Sequence, residues 1–307
     1  MDALIQSLVA ANFAPERIIP RALMARYTTF RVGGPADVLV NIADTREIPI
    51  ALRAARHAGV QVTLIGNGSN LLVRDGGIRG LVIRIASDCA GISRKDDTIC
   101  AKAGVTLSAA AQFALGESLS GLSELSGIPG TLGGGVVMNA GAYGGELAQV
   151  VTRVEAISLS DGKPVVFEGP DLNFSYRHSA MMDADVIVTD VTMQLTPGDP
   201  DEIRARMEEC NRARREKQPL NYPSAGSTFK RPAGLFAAKL IDECGLRGLR
   251  VGDAQVSEKH AGFIVNLGHA TARDILTLMD EVKARVLAQT GVTLEPEVRI
   301  LGEDRRD

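Results

Sequence analysis

"GIPGTLGGGVVMNAGAYGGE", Gly127 to Glu146, holds eight glycines in twenty residues. Glycine loses the most backbone freedom on folding and brings no side chain to pack, so this density argues against the interior of a helix or a strand. The stretch reads instead as a wall stripped of side chains because something lies close against its main chain. It sits near the middle of 307 residues, a length beyond what one hydrophobic core usually supports, and two or three domains are expected.

Outward from the tract, short apolar strands alternate with helices. Upstream, "DVLVNI", "VTLIG" and "LVIRIA" read as strands, with "EIPIALRAARHAG" a helix between the first two. "TLSAAAQFALGESL" reads as a helix leading into the tract. Downstream, "VTRVEAISLS", "VVFEG" and "DVIVTDVTMQL" read as strands, the first pair joined by a "DGKP" turn. "PDEIRARMEECNRARREK" is a long charged helix that must end before Pro219. The remainder holds a loop, "PLNYPSAGSTFKRP", a helix near "FAAKLIDECGL" and a strand "GFIVNL". A helix "TARDILTLMDEVKARVLAQTG", capped by Thr271 and closed by Gly291, and a final strand over "VTLEPEVRIL" complete it. These patterns divide the chain into 1–86, 87–198 and 199–307.

Composition narrows the class. With 45% hydrophobic and 23% charged residues the chain reads as an ordinary globular protein, and a net charge of -3 leaves no electrostatic footprint for nucleic acid or an anionic membrane. Cys89, Cys100, Cys210 and Cys244 form no CxxC pair, so neither a metal site nor a disulfide framework is expected, and a reducing cytoplasm fits. The opening "MDALIQSLVAANFAPERIIP" has an acid at position 2 and too short an apolar run for a signal peptide or membrane span, and reads as an amphipathic helix.

Four glycine clusters need a reason: "FRVGGPAD" from Phe30, "IGNGSNLLVRDGG" from Ile65, the tract, and "SAGSTFKRP" from Ser224. In the second, glycines alternate with Asn67, Ser69 and Asn70, which tolerate left-handed turns and carry short hydrogen-bonding side chains. Such a turn aims several backbone N–H groups at one spot, which suits a pyrophosphate; an ordinary hairpin turn has the same composition. Neither GxGxxG after a first strand nor GxxxxGK[ST] is present, so Rossmann and P-loop nucleotide sites are poorly supported.

"IGNGSNLLVRDGG" followed by "GLSELSGIPGTLGGGVVMNAGAYGGE" resembles the FAD-binding half of flavoproteins of the vanillyl-alcohol-oxidase (PCMH) type, in which two subdomains clasp an extended FAD. "FSYRHS", "SAGSTFKRP" and "LEPEVRILG", in that order, make the whole from about Tyr27 to Gly302 similar to the UDP-N-acetylenolpyruvoylglucosamine reductase family of bacterial cell-wall synthesis. The chain looks like the shorter branch, lacking the extra tyrosine-bearing loop, and carries Arg231 where the longer branch often has Asn. The resemblance implies an α+β architecture: a two-subdomain FAD-binding fold plus a C-terminal α+β substrate domain. It implies that Ile65, Gly66, Asn67, Gly68, Ser69, Asn70 and Leu71 wrap the pyrophosphate. Gly127, Pro129, Gly130, Thr131, Gly133, Gly134, Asn139, Gly141 and Ala142 would lie along the flavin and ribityl chain, with Ile187 a further cofactor contact. FAD is expected to be held non-covalently, since neither loop nor tract offers a His or Cys for a linkage. NADPH is the implied co-substrate, a UDP-sugar enolpyruvyl ether the substrate, and a cytoplasmic monomer the implied state.

Reducing an enolpyruvyl ether needs a hydride at the terminal carbon and a proton at its neighbour, with charge spreading into the carboxylate in between. That calls for a cation on the carboxylate, a group at the enol oxygens and an acid over the carbon. Arg177 is the natural cation, and the family pattern makes Ser227 the proton donor and Glu297 the second catalytic group. Lys217, Lys230 and Arg231 are candidates to assist Ser227, and Tyr176, Lys217 and His260 to bind the sugar nucleotide. Each has an ordinary reading too: a solvated loop arginine, a turn or cap serine, a glutamate on an edge strand, a buried hydrogen-bonded histidine. Another FAD-dependent oxidase or dehydrogenase of the same fold, or a non-catalytic nucleotide-binding module, remains a rival reading.

Overall fold

A computed structural model describes residues 2–305. The chain forms two compact units, each assembled from three segments. Unit 1 comprises the residues up to Ile19, Val38–Asn67 and Gly80–Arg214; unit 2 comprises Pro20–Asp37, Gly68–Arg79 and the residues from Arg215 onward.

Unit 1 is built on a five-stranded antiparallel sheet in the order Pro164–Glu168, Val151–Ser158, Val186–Gln194, Thr98–Lys102, Ile92–Lys95. The inward residues of these strands, Val154, Ala156, Val188, Val191 and Ile99, are buried in one core with the apolar face of the helix Leu107–Gly116. Thr106 caps that helix, its hydroxyl accepting from Ala109 N at 3.1 Å. The edge strand Val62–Ile65 pairs in parallel with Ile78–Ile85, Val62 opposite Leu81. At the N-terminus the helix covers only Asp2–Ala10, and the "IIPRAL" that follows is a strand, Ile18–Leu23.

The core of unit 2 gathers Phe30, Leu72, Phe229, Ile241 and the inner face of the helix Ala272–Thr290, namely Ile275, Leu278, Val282 and Val286. That helix has the expected ends: a capping box between Thr271 and Asp274, and Gly291 left-handed at φ 73°. Asp75, in the "RDGG" turn, adds a second cap, its carboxylate accepting from Ala272 N and Arg273 N at 2.9 and 3.0 Å.

Two expectations are corrected. The glycine tract does contain a helix, Leu132–Val137, although three of its six residues are glycine. Thr131 caps it, and two of those glycines are there because neighbours press on them, as described below. The expected strand over "VTLEPEVRIL" shrinks to Arg299–Leu301, parallel to Leu71–Val73. Pro296 has no N–H to offer a ladder, and Glu297 N instead donates to Thr228 O at 2.8 Å.

Candidate functional site

The tract helix begins at Thr131, which is extended (φ -85°, ψ 156°), buried, and accepts a 3.4 Å hydrogen bond from Gly134 N. The same hydroxyl faces the first glycine loop: a Cβ on Gly66 would fall inside contact distance of Thr131 Oγ1. Two motifs more than sixty residues apart are thus brought together within unit 1, backbone against cap.

Protein packing explains most of the missing side chains. A Cβ at Gly133 would stand 2.8 Å from that of Ala103, one at Gly135 3.1 Å from Leu147 Cδ1, one at Gly127 2.6 Å from Asn211 Oδ1, and one at Gly141 2.7 Å from Glu146 Cβ. Gly141–Ala142 pairs with Gly145–Glu146 across a two-residue turn, Tyr143 and Gly144, both at positive φ (54° and 92°). Gly134 is different. It is exposed, and a Cβ there would meet nothing nearer than Thr131 Oγ1 at 3.4 Å. An exposed helical glycine costs roughly 0.5–1 kcal/mol relative to alanine with no return from the fold itself, so this bare stretch fits the approach of a flat ligand.

A comparison of variants follows from that difference. Gly133→Val is expected to destabilise the protein, since its branches meet Ala103. Gly134→Val is expected to keep or raise the apoprotein melting temperature and yet purify with little flavin, read from the visible spectrum. Full flavin occupancy in Gly134→Val would remove Gly134 from the flavin wall.

Beyond the hairpin, Ser175 and His178 exchange both backbone hydrogen bonds at 3.1 Å, closing a tight turn on Tyr176 and Arg177. Arg177 is left-handed, φ 56°, and its guanidinium carbon lies 5.3 Å from the centre of the Tyr176 ring. Holding a non-glycine residue there costs about 1–2 kcal/mol, which persists only where the surroundings enforce it. Asn139, buried and itself at φ 41°, spends its side chain on protein: Oδ1 accepts from Ala148 N at 2.9 Å and Nδ2 donates to Ser175 O at 3.1 Å. Ile187 is fully buried in the unit 1 core, opposite Ile157.

In unit 2, Ser227 and Glu297 are neighbours through Thr228. Thr228 is buried; its N–H donates to Gly262 O at 2.8 Å, its Oγ1 accepts from Ile264 N at 3.0 Å, and its carbonyl accepts from Glu297 N at 2.8 Å. Ser227 and Glu297 themselves are half-buried. The second half of the first glycine loop supports the same place: Asn70 Nδ2 donates to Glu297 O at 3.1 Å and Arg299 N to Asn70 O at 3.0 Å. Gly68 (φ 63°) is pressed against Tyr27 O, so no other residue fits there. Lys230 turns to Glu295, Nζ to Oε2 3.5 Å.

His260 is half-buried, with Nδ1 accepting from Gly262 N at 3.1 Å and its ring edge-on to Phe263 at 4.9 Å. Burial holds its pKa below the free value. The unfolded chain therefore takes up the proton first. Stability present above about pH 6.5 is lost as pH falls through the unfolded value toward the folded one. Urea unfolding of His260→Gln between pH 7.5 and 5 is expected to show a shallower loss than the parent; an identical slope would refute it. Lys217 is exposed at the end of its helix.

The helix Pro200–Lys217 adds residues that the motif reading missed. Arg206 Nε donates to Glu124 Oε1 at 2.8 Å and its Nη2 to Tyr143 O at 3.2 Å; Asn211 Nδ2 donates to Ser126 Oγ at 3.2 Å. Two turns beyond Arg206, the Arg214 side chain packs on Gly127, and burial lowers its pKa. The 206/210/211/214 spacing of one helical face was the available signal, hidden in a run of arginines whose commoner place is solvent. A cavity of about 280 Å³ bordered by Glu124, Gly145, Gln149 and Thr196 adjoins the same hairpin and contains none of the residues assigned above.

The class this defines is an FAD-binding protein whose glycine tract and first glycine loop meet at a buried cap. Residues 36–168 match a family described as FAD binding domain, and residues 218–301 match one described as UDP-N-acetylenolpyruvoylglucosamine reductase, C-terminal domain. The chain is 46% identical to the UDP-N-acetylenolpyruvoylglucosamine reductase of Pediococcus pentosaceus over 97% of its length and 98% of the relative's. It is 50% identical to that of Agathobacter rectalis over 91% and 92%. The crystal structure of the reductase from Thermus caldophilus superposes with a TM-score of 0.77 at 40% identity, covering 93% of this chain and 98% of that one. The chain belongs to the UDP-N-acetylenolpyruvoylglucosamine reductase family.

Proposed function

We propose that this chain reduces UDP-N-acetylglucosamine enolpyruvate to UDP-N-acetylmuramate with NADPH, in the supply of peptidoglycan precursors. The observation that carries the reading is the seating of Ser227 beside Glu297, joined by the Glu297 N to Thr228 O bond and braced by Asn70. Bound FAD would supply the hydride chemistry, with NADPH as the source and the terminal enolpyruvyl carbon as the acceptor. Gly66, Thr131 and Gly134 would line its site. Arg177 grips the substrate carboxylate with two parallel hydrogen bonds and draws negative charge toward it. Glu297 stands at the enol oxygens, and Ser227 gives its hydroxyl proton to the carbon bearing the ether, recovering one from solvent through a neighbouring cation. Tyr176, Lys217 and His260 are assigned to the sugar nucleotide.

By function, residues 1–86 and 87–198 are assigned to FAD and 199–307 to the substrate. Every role is filled from one chain, so a monomer suffices. Among the described residues no helix is long and apolar enough to cross a membrane, and Cys89, Cys100, Cys210 and Cys244 are free thiols, which suits a reducing cytoplasm. An oxidase of the same fold is disfavoured by the reductase-type C-terminal domain over 218–301.

An anaerobic titration tests the reading. The yellow protein should bleach with NADPH and recover its colour on addition of the enolpyruvyl substrate without oxygen. Recovery only on admitting oxygen would indicate an oxidase, and colourless protein that takes up no FAD would indicate a binding module.

A further inference from the structure

The Arg177 turn is fastened on both sides to the end of the tract helix. On one side Asn139 Nδ2 donates to Ser175 O at 3.1 Å; on the other, Ser179 Oγ donates to Val137 O at 2.9 Å. Val137 is the last residue of that helix, and its carbonyl is one of those a helix end leaves without an intrahelical partner. Asn139 and Ser179 are 1% and 0% exposed, while Ser175 is exposed and Val137 half-buried, so each bond is partly buried, its side-chain end withdrawn from water. The Asn139 amide admits one orientation, because its oxygen meets the N–H of Ala148 and its nitrogen meets a carbonyl.

The residue between the anchors is strained. At φ 56° Arg177 occupies a conformation that a free turn would yield to glycine. Two partly buried hydrogen bonds, each contributing about 0.5–1.5 kcal/mol, are of the size needed to hold it. Asn139 also adopts the left-handed conformation at φ 41°, so the chain bends sharply to bring its amide round to the turn.

We infer that Asn139 and Ser179 are positioning residues that lock the Arg177 turn onto the C-terminal end of the tract helix, so that the wall assigned to the flavin and the cation assigned to the substrate carboxylate form one rigid piece. The inference rests on the proposed role of Arg177. Its consequence is registration: the guanidinium keeps a fixed position relative to the main chain at Gly134 without itself touching the cofactor. Displacement of a gripping group by about 1 Å costs up to about a hundredfold in rate, so anchors of this kind act on the step that uses Arg177 and spare the one that does not.

Asn139→Asp keeps the acceptor for Ala148 N–H and turns an acceptor oxygen toward the Ser175 carbonyl; Ser179→Ala removes only a hydroxyl and serves if the first variant folds poorly. Ser179→Ala, outside the residues assigned to the cofactor, is expected to retain flavin content and the rate of flavin reduction by NADPH. Both variants should slow anaerobic flavin reoxidation by the enolpyruvyl substrate about tenfold, with a raised KM for that substrate. In an Arg177→Lys background the same replacements should change reoxidation less than twofold, because their target is already lost. Full additive losses, or equal slowing of both half-reactions with loss of flavin, would overturn the inference. Slowing by the anchors beside an Arg177→Lys protein that reoxidises at the parental rate would overturn it as well, and would show separately that the role of Arg177 is wrong.

Discussion

Ser227→Ala is expected to leave flavin reduction by NADPH almost untouched and to slow reoxidation by the enolpyruvyl substrate by at least ~10² and up to ~10⁴, the range for removing a positioned general acid. The first half-reaction moves only a hydride between nicotinamide and flavin and has no use for the hydroxyl. The second must place a proton on carbon. Replacement should not disturb the fold: Ser227 is half-buried, and the local hydrogen bonds belong to its neighbour Thr228, whose N–H, hydroxyl and carbonyl are all engaged. Ser227→Cys should retain part of the rate, since a thiol is the stronger acid. Substrate affinity should change little, because the interaction develops in the transition state. Stopped-flow traces of the two half-reactions decide it. Equal slowing of both would mark Ser227 as structural, and unslowed reoxidation would assign the proton to another group.

Arg177 offers a test in which stability and activity are expected to separate. Its left-handed backbone at φ 56° favours glycine, so Arg177→Gly should be about 1 kcal/mol more stable than Arg177→Ala in urea unfolding at matched flavin content. Both should lose about 10²–10³ in flavin reoxidation, the effect of removing one preorganised donor from a developing oxyanion. Arg177→Lys keeps the charge and the strained backbone and should still lose most of that rate, because an ammonium cannot form the two-pronged contact. Reoxidation at the parental rate in the glycine variant would sink the role. A glycine variant less stable than the alanine variant would mean that the turn itself is different.

The strain at Arg177 and the bare main chain at Gly134 are both local costs whose return is assigned to a ligand. At Arg177 the Asn139 and Ser179 hydrogen bonds hold the strained turn in place; at Gly134 no close packing contact gives a return. Gly133 and Gly135, one residue to either side of Gly134, have their explanation inside the protein, in Ala103 and Leu147. Counting glycines alone cannot separate the two kinds. A Cβ placed at each can.

What the sequence determined by itself was the alternation of elements, the ends of the long helices and the order of the motifs. Pro219 stops one helix and Thr271 and Gly291 bound another because those residues act on their own few neighbours, and local physics survives without tertiary contacts. The order of "GNGSN", the tract, "FSYRHS", "SAGSTFKRP" and "LEPEVRILG" was equally legible, and with it the family. Tertiary structure alone decided the rest. The helix inside the tract exists because Thr131 caps it and because Ala103, Leu107 and Leu147, all outside the twenty-residue stretch, need its glycines small. The shortened last strand follows from Glu297 N being drawn to Thr228. Asn139 looks from its sequence like one more polar turn residue of the tract. Only folding brings Ser175, thirty-six positions later, within reach of its amide, because hydrogen-bond partners are chosen by distance in space and not along the chain.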